Sequence, residues 1–259
     1  MSPLEGRRIV LTGAAGGIGG LLAARLRGCG AHVTGVDRVA SPACDDHLVA
    51  NLADPAALAD LGAHLAGRHV DILANVAGLQ YFGPFEQQGA TGIALGYAVN
   101  LVAPAVLASA VVPGMIARGD GQIVNIGSVM GAVPYPYFTA YSSAKAGLKG
   151  LSQALRRELG GRGIAVTHVA PRAVRTGFNT ATIERFMALT RMSADDPATV
   201  VDRIFRAIER RERDVSIGLP ERVFTQLNAL LPGVVDRGLA GQVLTARTLF
   251  QDKPSGALS

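Results

Sequence analysis

Residues 7–20 read RRIVLTGAAGGIGG, and the way this stretch is read decides the fold. Residues 7–12 form an apolar run of the length a buried strand uses, and LLAARLRGCG (21–30) has a helix pattern that closes at Gly28 or Gly30. Between them lies a glycine-rich turn. In a strand-turn-helix unit such a turn lets the backbone approach a pyrophosphate, and the helix N-terminus favours its charge. A glycine cluster alone is weak evidence. Here the next segment, AHVTGVD (31–37), reads as a second strand ending in Asp37, whose carboxylate could accept hydrogen bonds from an adenosine ribose. Gly13, Gly16, Gly17, Ile18 and Gly19 are therefore the expected phosphate-binding turn. Asp37 repels a 2′-phosphate and favours NAD, whereas the neighbouring Arg38 could pair with that phosphate, so NADP remains open.

Outward from this unit the chain alternates strand and helix patterns. HLVAN (47–51) reads as a short third strand and 55–68 as a helix with Asp54 as N-cap. VDILANV (70–76) is a fourth strand, 91–117 a long helix, and GQIVNIG (121–127) a fifth strand. A helix over 141–160, a sixth strand IAVTHVA (164–170), a helix over 197–213 and a seventh strand DVSIG (214–218) complete the alternation. The expectation is an α/β fold, a Rossmann-type doubly wound parallel sheet of about seven strands with helices on both faces, followed by a C-terminal helical extension over 221–250. No linker divides the chain, so 1–259 reads as a single domain, and only DKPSGALS (252–259) looks disordered.

Composition agrees. A hydrophobic content of 49% and a mean hydropathy of +0.28 suit a sheet covered on both faces. The net charge is +5, yet the arginines are spread out, and the one dense run, ERRER (209–213), reads as a solvated helix end. No nucleic-acid partner is expected. Cys29 and Cys44 look unpaired, which points to a reducing cytoplasm, and the sequence reading finds neither a signal peptide nor a transmembrane segment.

The chemistry is expected in residues 128–145, SVMGAVPYPYFTAYSSAK. Tyr141 and Lys145 lie one helical turn apart on one face. A fixed ammonium so close favours the phenolate, lowers the phenol's pKa and makes Tyr141 a usable proton donor and acceptor. Ser128 follows an apolar run at what would be a strand's carboxyl end, where ligands bind in open α/β sheets. Its hydroxyl could hold a substrate oxygen beside the phenol.

With these motifs in order, the sequence resembles the short-chain dehydrogenase/reductase family in its single-domain form, from the first strand to about Thr176. The family's T-G-x-x-x-G-x-G is matched by Thr12, Gly13, Gly17 and Gly19, and its N-N-A-G by Asn75, Val76, Ala77 and Gly78. Its active-site Asn is matched by Asn100, its Ser by Ser128, and its Y-x-x-x-K by Tyr141 and Lys145. The resemblance implies an oxidoreductase acting on alcohols or carbonyls with NAD, NADP being possible. Tyr141 is then the acid-base group, and Lys145 lowers its pKa and binds the nicotinamide ribose. Ser128 polarises the substrate oxygen, and Asn100 holds a water that links Lys145 to solvent. Hydride moves to or from nicotinamide C4, so no metal is implied.

Cofactor contacts are also implied for Asn75, Ala77, Gly78, Pro171, Val174 and Thr176, and for Asn51 and Leu52, where the family commonly has Asp and an apolar residue. A further departure is Arg172, which stands in place of the glycine in the family's P-G and gives up that glycine's access to positive φ. Arg172 or Arg175 is expected to point into the cleft toward cofactor phosphate or an anionic substrate. Tyr81, Tyr135 and Phe178 suggest an apolar pocket for a hydrophobic or aromatic alcohol or ketone, with 177–196 as a mobile lid. The extension could cover this pocket, form a subunit interface or rest on a membrane, in that order. A homodimer or homotetramer packed through small-residue helices is expected. The alternatives are an NADPH-dependent carbonyl reductase using Arg38, and a nucleotide-binding regulator without turnover.

Overall fold

The computed structural model describes residues 2–251; the 252–259 tail, expected to be disordered, lies outside them. Seven parallel strands form one sheet: β1 (Arg8–Thr12), β2 (His32–Asp37), β3 (Asp46–Val49), β4 (Ile72–Asn75), β5 (Gly121–Ile126), β6 (Ile164–Ala170) and β7 (Asp214–Ser216). Their order is β3-β2-β1-β4-β5-β6-β7, so the winding reverses between β1 and β4. That reversal leaves a crevice above the strands' carboxyl ends, the place where ligands bind in such sheets.

Both faces are covered, which explains why β4 and β5 are buried along their whole length. On one face α1 (Gly17–Arg27) and α7 (Pro197–Glu209) pack together over Leu11, Val33, Val124 and Val169. The apolar stripe expected for α7, Val200, Val201, Ile204, Phe205 and Ile208, is buried there. On the other face α2 (Pro55–Ala66) and α4 (Ala103–Arg118) pack over Val10, Leu73 and Ile123. Asp54 caps α2 as expected, its carboxylate accepting from the Ala56 and Ala57 amides. α5 (Thr139–Glu158) lies beside β6.

The long helix predicted over 91–117 is interrupted. α3 (Gly89–Tyr97) passes into α4 through a π-helical turn, Ala98–Val102. The whole stretch Gly89–Arg118 is long and apolar enough to cross a membrane by length and composition, with 44% of its most apolar window buried inside the protein. This corrects the sequence reading, in which no segment met that criterion. The run ERRER is held by ion pairs, with Arg211 on Asp120 and Glu212 on Arg203. α6 (Ala181–Leu189) lies within the expected lid, and the extension forms α8 (Leu219–Leu230) and α9 (Pro232–Gln251).

Candidate active site

A cavity of about 610 Å³ opens along the carboxyl ends of the strands. At one end lie Gly13, Gly16, Gly17, Ile18, Gly19, Asp37 and Arg38, with Asn51 and Leu52 beside them. The turn needs its glycines. A Cβ on Gly19 would stand 1.9 Å from the Gly13 carbonyl oxygen, and one on Gly13, whose φ is +73°, 2.7 Å from the Ala77 backbone. Thr12 braces the same region from below, its hydroxyl accepting from the Val76 and Ala77 amides at 3.1 and 3.2 Å. Asp37 accepts from the Ala15 amide at 2.9 Å and from the Arg38 amide at 2.7 Å, so the carboxylate that ends β2 also fixes the glycine turn.

Ser128, Tyr141 and Lys145 meet at the middle of the cavity. Ser128 caps a short 3₁₀ turn, Val129–Gly131, and accepts from the Met130 amide at 3.2 Å. Tyr141 and Lys145 come from the first turns of α5, and Lys145 Nζ donates to the Ile126 carbonyl at 2.9 Å while standing 5.8 Å from the centre of the Tyr141 ring. Gly78 keeps this meeting point open. A Cβ there would lie 3.7 Å from Lys145 Nζ and 3.2 Å from Asn100 Oδ1.

The electrostatics run against the sequence argument. Burial pushes the Tyr141 phenol up to about 12, the nearby Ser128 hydroxyl pulling the other way. Burial also lowers Lys145 from 10.5 to about 8. Both charged forms lose hydration in the same place, and for the phenol that loss outweighs the help of a neighbour whose Nζ is turned to a backbone carbonyl. The expected depression of the phenol is thus reversed in direction.

Several expected residues sit elsewhere. Asn100 is fully buried in the π turn and does not line the cavity. Its Nδ2 donates to the carbonyls of Leu79 and Gly96 at 2.7 and 2.8 Å, and its Oδ1 accepts from the Leu79 amide, so the side chain anchors the chain after β4 beside Gly78 and Lys145. Asn75 lies under the cavity, because its side chain follows the strand alternation down into the sheet and donates to Asn125 at 2.9 Å. Ala77, Pro171, Val174 and Thr176 do line the cavity. Tyr81 and Tyr135 do not; Tyr135 packs edge-on against Phe138 and Phe186, and burial raises its pKa to about 12. Phe178 lines the cavity, 6.4 Å from the Tyr141 ring.

Arg172 reaches the cavity wall, but Asp195 holds its guanidinium in a fork at 2.9 and 2.6 Å. It is absent from the positive-φ residues, so no backbone strain follows from its replacing a glycine. Arg175 donates to the Ala194 carbonyl at 2.7 Å. In this structure both arginines are engaged by protein groups.

Beyond Tyr141 the walls are apolar: Leu79, Met130, Phe138, Ile183, Phe186 and Met187. A second aromatic layer lies behind them. Phe82 stacks on Phe138 at 4.6 Å, and Phe250 of α9 meets Phe82 at 5.2 Å and Tyr137 at 5.7 Å. Ala246 and Leu249 of α9 join Ile183, Phe186 and Met187 in one buried cluster behind the cavity wall.

A family model described as short chain dehydrogenase matches residues 7–185. Dehydrogenase/reductase SDR family member 7B of Danio rerio is 30% identical over 181 residues, spanning 67% of this chain and 59% of that protein. A short-chain dehydrogenase from Sphingobium yanoikuyae, solved in complex with NADPH, is 30% identical with a TM-score of 0.74 and 98% of each chain covered. The bulky-bulky ketone specific alcohol dehydrogenase from Comamonas testosteroni is 28% identical with a TM-score of 0.72, covering 98% of this chain and 97% of that one.

Proposed function

Because this chain belongs to the short-chain dehydrogenase family, we propose that it is an NAD(P)-dependent oxidoreductase interconverting a hydrophobic alcohol and its ketone or aldehyde. One observation carries the reading: Ser128, Tyr141 and Lys145 converge midway along a cavity that is glycine-lined at one end and apolar at the other. The residues present suit a dinucleotide, since the glycine turn at the N-terminus of α1 lines the cavity with Asp37 and Arg38 beside it at the end of β2. Gly13 and Gly16–Gly19 would hold its diphosphate, Asp37 the adenosine ribose, Asn51 and Leu52 the adenine, and Val174 and Thr176 the carboxamide. When bound, the nicotinamide supplies or accepts hydride.

The rest is done by the chain. The apolar wall of Phe138, Ile183, Phe186 and Met187 takes the substrate's hydrocarbon portion and excludes water. Ser128 orients the carbonyl oxygen, and the Tyr141 hydroxyl gives it a proton in reduction or takes one in oxidation. Lys145, charged at neutral pH and held by the Ile126 carbonyl, would donate to the nicotinamide ribose beside the phenol.

NAD is the favoured cofactor because a carboxylate at Asp37, at the end of β2 beside the glycine turn, would repel a 2′-phosphate. The second reading, an NADPH-dependent carbonyl reductase, draws on Arg38, which lines the cavity beside it. A homo-oligomer is supported by exposed Val102 and Ile116 along Gly89–Arg118, and a reducing, cytoplasmic setting by the free thiols of Cys29 and Cys44. The test is reduced-dinucleotide absorbance during a screen of hydrophobic secondary alcohols and ketones with both cofactors. Tyr141→Phe should abolish turnover while dinucleotide binding persists. Full turnover by Tyr141→Phe would overturn the mechanism.

A further inference from the structure

The chain leaves β6 at Pro171, passes through 172–176 along the cavity wall, and returns at 194–196 to the start of α7. Where it leaves and where it returns, the two strands of backbone touch. Val174 and Asp195 form a parallel bridge, with the Asp195 amide donating to the Ala173 carbonyl at 2.8 Å and the Arg175 amide to the Asp195 carbonyl at 3.0 Å. The side chains repeat the tie. Arg172 Nε and NH2 donate to the two Asp195 oxygens, and Asn179 donates back to the Val174 carbonyl at 2.9 Å. The return end is itself fixed, because Asp196 caps α7 by accepting from the Thr199 amide.

From this we infer that the Arg172–Asp195 pair is a clasp closing the neck of the flap 176–194, which makes Arg172 a positioning residue for Val174 and Thr176. The inference rests on the reading of the cavity as a dinucleotide site. Asp195 is 16% exposed at its side chain and Arg172 30%, so the pair is partly shielded from water and salt, and a two-pronged charge-assisted contact fixes direction as well as distance. With the neck clasped, the flap can move only as a loop tethered at both ends, while residues 173–176 stay seated on the cavity wall. Without the clasp, the backbone bridge and the single bonds of Asn179 and Arg175 hold them, and bound dinucleotide should leave faster.

The experiment compares Arg172→Ala, Asp195→Ala, the double variant and Arg172→Lys with the wild-type chain. Three readouts are taken: hydrogen exchange across 176–194, reduced-dinucleotide affinity by fluorescence, and kcat and KM with one neutral hydrophobic ketone. Each alanine variant should speed exchange in the flap and weaken dinucleotide affinity about tenfold, with kcat held within about twofold. The double variant should be no worse than either single one, since one interaction is lost in all three. Arg172→Lys, which keeps the charge but not the fork, should fall between. Additive losses in the double variant, or a loss confined to NADPH, would overturn the clasp in favour of separate roles. A fall in kcat at unchanged dinucleotide affinity would also overturn it. If the wild-type chain bound neither dinucleotide, the cavity reading and the positioning role would fall together, and the exchange rates would still decide whether the clasp exists.

Discussion

Replacing Lys145 by methionine should make the protein more stable and inactive. Lys145 is 4% exposed, and burial lowers its pKa from 10.5 to about 8, so at pH 7 the folded chain carries an ammonium that its surroundings disfavour. At about 1.36 kcal/mol for each tenfold in proton affinity, the folded state forgoes about 3 kcal/mol. Methionine fills a similar volume without the charge but leaves the Ile126 carbonyl without that donor, a loss of about 1 kcal/mol. The net gain is about 2 kcal/mol, or about 4–8 °C in Tm for a chain of this size. The pH dependence identifies the cause. Between about pH 8 and 10.5 the unfolded chain binds the Lys145 proton and the folded chain does not, so wild-type stability rises with pH across that window. The advantage of Lys145→Met should therefore shrink from pH 8 upward. Urea unfolding of both proteins at one concentration, from pH 7 to 10.5, measures it. A variant less stable than wild type at pH 7, or an advantage that does not change with pH, would refute the reasoning.

Gly127→Ala should destabilise by about 1–3 kcal/mol, because the new Cβ would lie 2.2 Å from His168 Nε2, and it should slow turnover by moving the adjacent Ser128. Adding His168→Ala should recover most of the stability in a denaturant titration; simple additivity of the two changes would refute the clash. Phe250→Ala removes the ring contacts to Phe82 and Tyr137 and should lose about 1–2 kcal/mol. It should also raise KM for bulky apolar ketones without altering dinucleotide affinity, and unchanged KM would argue that α9 has no hold on the pocket.

Legibility in the sequence followed the range of the interactions. The strands and the glycine turn were readable because a buried run and a strand-turn-helix order are local signals, and the sheet order follows from repeated strand-helix crossovers. Asp37 was readable for the same reason, although its bond to Ala15 across the turn was not. Asn75 was misjudged because its direction depends on pairing with Asn125 of β5, a partner far along the chain. The bonds of Asn100 to Leu79 and Gly96 are not legible, because they depend on the π turn that aims its amide. Tyr81 and Tyr135 were assigned by proximity in sequence, while the wall is built from Phe138, Ile183 and Phe186, two of them on an element whose position depends on α9. Asp195 gave no sign of its bond to Arg172, since only the fold brings the flap's two ends together.

The reversal at Tyr141 bears on direction of reaction. An ammonium one turn from a phenol helps the phenolate only to the extent that the pair keeps its hydration or the ammonium faces the oxygen. Here Lys145 Nζ is directed to the Ile126 carbonyl and both residues are buried, so the protein alone favours a neutral phenol beside a charged amine. That combination is a proton donor, the state needed to reduce a carbonyl. To act as a base on an alcohol, the same phenol must first lose a proton that burial makes harder to release. If Tyr141 is the acid-base group, as proposed, the rate of alcohol oxidation should rise with pH more steeply than that of ketone reduction, and parallel pH–rate profiles for the two directions would refute the part given to the phenol's burial.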